Sequence, residues 1–512
     1  VFSLTGRDVV AGFPCGAAGS VAMSISLSAQ QPRLEPGAEV DVGSLRFRIR
    51  ALLGEGSFGA VWSAEVLGQP DEQEVALKEI ACPSEVAFDR AVFEKQLLHF
   101  VATSQEIHAT RFPRLVASEV RADVPELCRV HLAMTRLPGE PLARLLDYLA
   151  DEAQAQEPLP PDAPRAPQHI HNLGAAGVSH LATASRCATS MLTQLAPALE
   201  HLSSCAHHRD ITPRNVLLDI DSAGNFNWGL VDFGLAVDAL TWGAQYHQQD
   251  IGGDGHYWPT SSWYVLSNGP EKLADNPDLL GEYLQCLDMH ALGITALRTF
   301  MELWTPEGQK ADLDTTSGSD WAQLAKLSRL RTEWSRFWGD IVRLWQPIFD
   351  ACTGASSQTL DELKVTYATA GVHNIVSANA CALRAALVQV RSVATLPDLR
   401  ALCAALLLLI RPGRARAEPP TWSSVRAALD AAAPEWWEEE PAEALQTPRP
   451  ASARVASPLP LPLRCGAAPC AHLDEATKVA LLHGCAVERG LSLSSPSTQA
   501  SSGFEPSVWF SV

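Results

Sequence analysis

Residues 208–215 have the sequence HRDITPRN, and this stretch decides how the rest of the chain is interpreted. Asp210 precedes Asn215 by five positions, and the apolar pair Leu217-Leu218 follows. A carboxylate in such a loop can orient an attacking hydroxyl and accept its proton, while an amide oxygen can ligate a hard cation such as Mg²⁺. Because a plain polar loop rarely carries these residues in this order, we expect a catalytic loop in which Asp210 is the base and Asn215 a metal ligand.

A second acidic motif, Asp232-Phe233-Gly234, follows the strand-like stretch WGLV. The tripeptide is common and indicates little when it stands alone. Its order and spacing after residues 208–215 give it weight, since a second oxygen ligand near Asn215 would suit Mg²⁺. We therefore predict that Asp232 and Asn215 hold the metal.

Upstream lies a glycine-rich segment, GEGSFG at residues 54–59. It is flanked by LRFRIRALL and AVWSAEVL, which both have strand character. A dinucleotide-binding fingerprint has a helix after its glycines, whereas this segment joins two strands. Glycine lets a backbone approach phosphate closely. A plain turn is one interpretation, and the one we favour is a lid over the phosphates of ATP.

A lysine, Lys78, follows Val75-Ala76-Leu77 in an otherwise apolar predicted strand. A charged side chain that points inward from a strand is costly unless it is paired, so Lys78 needs a carboxylate and phosphate oxygens. Glu94, on the helix predicted for residues 86–101, is the natural partner, and Glu85 is the competitor nearer the loop. A surface lysine at a strand end is the alternative interpretation.

In this order, these motifs resemble the eukaryotic protein kinase family. The resemblance implies an α+β, bilobal fold with a small β-rich N-lobe and a larger, mainly helical C-lobe with insertions. It implies an enzyme that uses ATP and Mg²⁺ to phosphorylate a protein substrate. The catalytic set carried over by the matching motifs is Lys78, Glu94, Asp210, Asn215 and Asp232.

The same resemblance implies a nucleotide pocket. The stretch LAMTRLPGEPL looks like the strand and hinge that bind adenine, with Met134 as gatekeeper and the backbone of Thr135 to Leu137 as hydrogen-bonding edge. The expected ATP-binding residues are Gly54, Glu55, Gly56, Ser57, Phe58, Gly59, Val61, Ala76, Lys78, Met134, Leu137 and Leu217.

The catalytic loop departs from the family's Ser/Thr pattern at one position. Thr212 stands where Ser/Thr kinases usually carry a lysine, and Arg214 stands where tyrosine kinases often carry an arginine. Pro213 is closer to the Ser/Thr type. We therefore expect the acceptor to be Ser or Thr, and Tyr remains the alternative acceptor.

The end of the activation segment, residues 232–271, is unusual. Gly269-Pro270-Glu271 is expected to replace the family's Ala-Pro-Glu, with Glu271 pairing to Arg414 or Arg416; alternatively, Tyr257-Trp258-Pro259 holds that place and the Glu is absent. Asp288 looks like the family's buried anchor of the catalytic loop, or else a helix cap.

Regulation by phosphorylation is a further expectation. Arg209, directly before Asp210, would bind a phosphate on Thr260, Ser261 or Ser262. Two alternatives remain: these hydroxyl residues are plain turn residues, or Arg209 binds Asp238 or Asp250 and the enzyme is always on.

The domain organisation follows from shifts in composition. Residues 1–44 are expected to be a mobile leader, 45–137 the N-lobe and 138–430 the C-lobe, with insertions at about 150–176 and 305–399. The later insertion should hold at least two helices. Residues 431–512 are acidic and then rich in Pro, Ser and Ala, and we expect a disordered tail.

The composition excludes some classes of function. The chain has 512 residues and a net charge of −19, so nucleic acid is a poor partner. No run is apolar enough to predict a membrane span, and the scattered cysteines favour a cytoplasmic or nuclear location. The sequence leaves the oligomeric state open. It also leaves open a pseudokinase scaffold that binds ATP and partner proteins without turnover, and a small-molecule kinase of related fold.

Overall fold

The computed structural model of the chain describes residues 34–56, 59–68, 74–124, 127–154, 180–305, 320–413 and 419–431. Its N-terminal part is an antiparallel sheet of six strands in the order β1-β2-β3-β4-β6-β5. The strands are β1 (Glu39–Val42), β2 (Leu45–Gly56), β3 (Gly59–Val66), β4 (Glu74–Cys82), β5 (Leu115–Val124) and β6 (Leu127–Thr135). The glycine-rich segment therefore joins two paired strands, β2 and β3, with Gly56 opposite Gly59.

The N-lobe begins earlier than the sequence predicted. β1 lies within the predicted leader, yet it pairs with β2 from Glu39 opposite Arg48 to Val42 opposite Leu45. Val40 and Val42 are buried in the same cluster as Phe47. Two alternating apolar residues are too short a signal to separate a strand from a leader, so the boundary at residue 45 was placed too late.

A single long helix, α1 (Glu85–Thr103), packs against this sheet. Ser84 caps it, because its side chain accepts a hydrogen bond from the Ala87 N–H at 3.2 Å. The buried residues of α1 are Ala91, Glu94, Leu97, Leu98 and Val101. A carboxylate among four apolar residues on the buried face indicates a specific partner inside the fold.

The C-lobe is mainly helical and is built around α3 and α7, which pack on each other. The helices from the hinge to the end of α7 are α2 (Leu142–Gln154), α3 (His180–Leu202), α4 (Ala239–Gln245), α5 (Thr260–Asn268), α6 (Pro277–Gln285) and α7 (Leu287–Leu303). Two small sheets hold the functional loops, and their strands are β7 (Glu140–Pro141), β8 (Ala206–His207), β9 (Val216–Ile220), β10 (Phe226–Leu230) and β11 (Val237–Asp238). A β-rich N-lobe and a helical C-lobe confirm the predicted bilobal α+β fold.

The later predicted insertion is helical, as expected. Its described part contains α8 (Asp320–Thr353), α9 (Leu360–Ala370) and α10 (Val372–Val393), followed by α11 (Pro397–Leu409) and α12 (Trp422–Asp430). α8 and α10 pack on each other, and Asn379 donates to Asp340 Oδ2 at 2.7 Å. The predicted insertion at 150–176 lies largely outside the described residues, and the predicted tail does so except for Ala431.

Across the described residues, none of the helices combines the length and the apolar character needed to span a bilayer. The most apolar stretch of the sequence, at residues 401–410, forms most of α11, which is packed against α3, α7, α10 and α12. Its hydrophobic residues therefore belong to the core of the C-lobe.

Close packing at Gly255 gives a test of the fold. A Cβ built on Gly255 would lie 2.1 Å from Trp345 Cε3, so the Gly255→Ala variant must displace an indole ring of α8. We expect the free energy of unfolding to fall by about 1–3 kcal/mol, measured by thermal or urea denaturation. In the matched variant Gly243→Ala, within α4, a Cβ meets nothing within 4 Å, and we expect about 0.5–1 kcal/mol of stabilisation. Equal behaviour of the two variants would show that the α8 contact is wrong.

Candidate active site

The centre of the site is a buried lysine held by two carboxylates. Lys78, on β4, donates from Nζ to both carboxylate oxygens of Glu94 at 2.7 and 2.9 Å. It also donates to Asp232 Oδ1 at 2.7 Å. Glu85, by contrast, is exposed in the first turn of α1. The structure thus brings Glu94 to Lys78, and it adds Asp232 from 154 residues further along the chain.

The charges of Lys78 and Asp232 stabilise each other, whereas burial and the neighbouring Asp232 charge raise the pKa of Glu94 even though Lys78 acts to lower it. Burial acts to lower the pKa of Lys78, but the charges of Asp232 and Glu94 outweigh it and raise that pKa. Burial likewise acts to raise the pKa of Asp232, but the neighbouring Lys78 charge lowers it. Lys78 and Asp232 are therefore both charged at neutral pH, which a buried pair tolerates only when its geometry is good.

The catalytic loop is anchored from beneath by α7. The two carboxylate oxygens of Asp288 accept the backbone N–H groups of His208 and Arg209, both at 2.7 Å. Thr295, two turns further along α7, donates to the carbonyl of Ile211 at 3.1 Å. Asp288 is thus the buried anchor that the sequence suggested rather than a cap on its own helix.

Asp210 lies inside this loop with one oxygen held and one without a partner. Asn215 Nδ2 donates to Asp210 Oδ2 at 2.7 Å and to the Asp210 carbonyl at 2.9 Å. Asp210 Oδ1 is buried without a hydrogen-bond partner. Burial, followed by the charges of Asp232 and Asp254, raises the pKa of Asp210 to about 7, although Arg214 and Asn215 act in the opposite direction. A buried carboxylate oxygen with no donor can accept a proton from an incoming hydroxyl.

Backbone strain is concentrated at the same place. Among the described residues, the non-glycine residues with positive φ are Arg209, at 67°, and Asp232, at 70°. This conformation costs of order 1–3 kcal/mol for each residue and persists only where the surroundings enforce it. Asp288 holds the first residue, and the Gly234 N–H donates to Asp232 Oδ1 at 3.1 Å at the second. Sequence patterns give no direct signal of this strain.

The predicted adenine-binding residues lie on elements that converge beside Lys78. Ala76 is opposite Met134 across β4 and β6, and Val61 is opposite Lys78 across β3 and β4. A Cβ on Gly229 would lie 2.9 Å from a methyl of Leu137 and 3.7 Å from Cβ of Leu217. Thr135 ends β6, so the predicted hinge leaves the sheet at this point.

The glycine-rich segment is described at its two ends. Gly54, Glu55 and Gly56 belong to β2 and are exposed, and Gly59 begins β3. A Cβ on Gly59 would lie 1.9 Å from the Glu79 carbonyl oxygen, and its φ of +137° also favours glycine. Ser57 and Phe58 lie outside the described residues.

The end of the activation segment differs from the sequence prediction. Glu271 is exposed, and its predicted pairing with Arg414 or Arg416 stays a prediction. Arg414 and Arg416 lie outside the described residues. The buried carboxylate here is Glu282, on α6, whose Oε2 accepts the Ser261 N–H at 2.7 Å. The alternative in which Tyr257-Trp258-Pro259 takes this position agrees better, since Pro259 directly precedes α5.

The predicted phosphorylation sites are inaccessible. Thr260, Ser261 and Ser262 form the first turn of α5 and are 2%, 0% and 2% exposed. A kinase could not reach these hydroxyls without unfolding α5, so the structure contradicts the prediction. The sequence favoured these residues as sites because they lie nearer the substrate-facing end of the activation segment.

Two of the arginines that contact the segment, Arg90 and Arg209, bind Asp250. Arg90, from α1, donates to Asp250 Oδ2 at 3.0 Å. Arg209 donates to the Asp250 carbonyl, and its guanidinium lies 5.2 Å from the ring centroid of Trp242. Of the alternatives left open by the sequence, the structure therefore favours an aspartate of the segment as the partner of Arg209.

The buried glutamate gives a pH-dependent prediction. Burial raises the pKa of Glu282 from its ordinary 4.5 to about 7, so the folded state binds this proton more tightly than the unfolded state. Its stabilising contribution is full below pH 4.5 and is lost as the pH rises through 7. Between these values we expect the wild-type free energy of unfolding to fall, relative to Glu282→Gln, by on the order of 3 kcal/mol.

Denaturant unfolding at pH 4.5, 6 and 7.5 measures this difference. Glu271→Gln is the matched control, because it removes an exposed carboxylate from the neighbouring segment. The prediction would be contradicted if the free energy of unfolding changed with pH equally in the wild type and in Glu282→Gln.

Comparison with known proteins agrees with this geometry. Residues 47–259 match the family model for protein tyrosine and serine/threonine kinases. The match begins in β2 and ends at Pro259, so it includes the glycine-rich segment, Lys78, Glu94, the catalytic loop and Asp232. No curated protein sequence matches the chain. With this match and the bilobal fold, residues 47–259 are identified as a protein kinase domain.

Proposed function

We propose that the kinase domain is catalytically active and transfers the γ-phosphate of ATP to a serine or threonine hydroxyl of a protein. The observation that carries the proposal is the assembled group of Lys78, Glu94 and Asp232 beside the Asp210–Asn215 pair. A pseudokinase scaffold does not require a lysine paired with two carboxylates, and it does not require a catalytic carboxylate with one oxygen that lacks a hydrogen-bond donor. This chain has both, in Lys78 and Asp210.

The donor set fits Mg²⁺. Asp232 supplies a carboxylate whose side chain is 35% exposed, and Asn215 supplies an amide. Hard cations prefer such oxygen ligands. Lys78 and the Gly234 N–H occupy Asp232 Oδ1, which leaves Oδ2 for the metal. When bound there, Mg²⁺ would neutralise charge on the ATP phosphates.

The protein's own groups perform the remaining steps. Lys78, fixed by Glu94, binds phosphate oxygens of ATP. The substrate hydroxyl donates its proton to Asp210 Oδ1 while its oxygen forms a bond to the γ-phosphorus. The bond from that phosphorus to the β,γ-bridging oxygen breaks, and ADP leaves. Asn215 holds the other Asp210 oxygen, so the base is oriented before the substrate arrives.

The choice of acceptor rests on the catalytic loop. Pro213 supports a Ser/Thr acceptor, and its carbonyl accepts the Ala143 N–H at 2.8 Å, which fixes the loop against the start of α2. Arrays of peptides that differ only in Ser, Thr or Tyr at the acceptor position test this proposal. Preferential phosphorylation of Tyr would overturn it.

Activity itself is tested by removing single charges. We expect Asp232→Asn and Lys78→Met to lower the rate of phosphotransfer by at least about a hundredfold, because each removes an electrostatic group worth several kcal/mol. The control is Asp361→Asn, whose wild-type carboxylate in α9 has a side chain 89% exposed. Radiolabelled ATP and a generic protein substrate provide the assay. Binding of Mg-ATP by the wild type without turnover would instead indicate a pseudokinase.

Independence from phosphorylation is also expected. Because Asp250 already engages Arg90 and Arg209, phosphatase treatment of the purified protein should leave its activity unchanged. Asp250→Ala should lower activity by about tenfold, since a partly buried ion pair that orders the segment is lost. Asp41→Asn, which removes an exposed ion pair with Arg46, is the control. Activity that requires a phosphate on the segment would contradict this prediction.

A further inference from the structure

The helical insertion packs onto the part of the activation segment next to the catalytic loop. The ring of His256 stacks on Trp338 of α8, with centroids 5.4 Å apart and planes inclined by 28°. Trp345, two turns further along α8, meets Trp258 edge-on at 5.2 Å. The insertion therefore makes aromatic contacts with the short turn formed by residues 254–258.

The opposite side of this turn is held by α7. Arg298 donates to the Tyr257 hydroxyl at 2.7 Å, and its guanidinium carbon lies 4.9 Å from the ring centroid of Trp338. Gly255 leaves no space for a side chain against Trp345. The turn is thus enclosed between an element common to the kinase core and one that belongs to the insertion.

The first residue of the turn is a buried aspartate with two cationic or polar neighbours. Asp254 Oδ1 accepts the His256 N–H at 3.0 Å and lies 2.6 Å from His256 Nδ1. Asp254 Oδ2 accepts a hydrogen bond from Arg214 at 3.2 Å. The Asp254 side chain is 12% exposed, whereas that of Arg214 is 50% exposed. Asp254 therefore links a fixed ring of the turn to an arginine that reaches the surface of the site.

This arrangement lies directly against the catalytic base. A Cβ on Gly253 would lie 3.5 Å from Asp210 Oδ1 and 2.4 Å from the Arg209 carbonyl oxygen. Each of three cations in the site has a partner: Lys78 has Glu94 and Asp232, Arg209 has the Asp250 carbonyl, and Arg214 has Asp254. The position two residues after Asp210 is the neutral Thr212. Arg214 is thus a cation whose charge acts on Asp210 and whose side chain is half open to solvent, whereas the side chain of Lys78 is 4% exposed.

We propose that Asp254 is a positioning residue for phosphotransfer, which the insertion holds in place through His256 and Trp338 so that Arg214 stands ready beside Asp210. The proposal rests on the proposed kinase activity. The phosphoryl group in transfer carries negative charge, and a guanidinium binds phosphate oxygens through a fork of N–H donors. Fixing that guanidinium in advance removes its reorganisation cost from the reaction step.

The test compares kcat with KM in four variants of the full chain. Trp338→Ala and His256→Ala break the stack from its two sides, and Asp254→Asn and Arg214→Ala break the ion pair. We expect kcat to fall by about tenfold in each, with KM for ATP changed less than about twofold, because ATP binds elsewhere in the site. Trp338→Phe, which keeps an aromatic ring, should recover most of kcat. Trp321→Ala, which removes an exposed indole at the start of α8, is the control.

Double variants separate positioning from a general loss of stability. If the insertion acts through the ion pair, Arg214→Ala combined with Trp338→Ala should be no slower than Arg214→Ala alone, whereas independent effects would multiply to about a hundredfold. Multiplying effects, an unchanged kcat in His256→Ala, or a matching rise in KM for ATP would overturn the proposal.

A readout without turnover separates this proposal from the proposed function. The Tyr257 N–H donates to the Asp254 carbonyl at 2.9 Å, so we expect this turn to be protected from hydrogen exchange. Exchange in a peptide that covers residues 252–258 should accelerate in Trp338→Ala and His256→Ala but not in Trp321→Ala. Inactive wild-type protein with this exchange pattern would refute the proposed function alone. Unchanged exchange would refute the inference even if the protein is an active kinase.

Discussion

The structure depends on one buried ion group, in which Lys78 is shared between Glu94 and Asp232. These side chains come from β4, from α1 and from the start of the activation segment. The charges of Lys78 and Glu94 are buried deeply enough to be costly without partners, so the group is stable only when the three elements stand in one arrangement. The orientation of α1 and the course of the chain at Asp232 are therefore fixed together, before any nucleotide is considered.

A second constraint orders the other side of the site. Asp288 bonds two consecutive backbone N–H groups of the catalytic loop and so holds Arg209 at a positive φ. This conformation sends the Arg209 side chain toward Asp250 and Trp242, while Asp210 turns toward Asn215. The strained backbone at Arg209 depends on the anchoring by α7, because a positive φ at a non-glycine residue persists only where the surroundings enforce it.

The fold class and most of the site could be predicted from local sequence because their residues sit in short motifs at characteristic spacing. Lys78, Asp210, Asn215 and Asp232 belong to this group. The choice of Glu94 over Glu85 was also within reach, since a carboxylate among the apolar positions of a helix must face inward. In this case the periodicity of a helix predicts a contact with a residue on another element, Lys78.

The remaining features depend on contacts that no local pattern encodes. The burial of Thr260, Ser261 and Ser262 follows from α5 packing on α6 and the insertion, and the buried carboxylate of Glu282 is recognisable only once the Ser261 N–H is seen to reach it. The sequence predicted at least two helices in the insertion, but it gave no indication of which surface Trp334, Trp338 and Trp345 would cover.

The contacts of the activation segment show how this segment is ordered. A segment that is ordered by phosphorylation needs exposed hydroxyls and an arginine pocket with a vacancy for the added charge. In this chain the hydroxyls at the start of α5 are buried, and the pocket contains Asp250, whose charge Arg90 already meets. Trp338 and Trp345 add apolar contacts that a phosphate could not replace. Because ordering by burial is established during folding, it leaves no charge for a phosphatase to remove, and the proposed activity would then not depend on the charge of the segment.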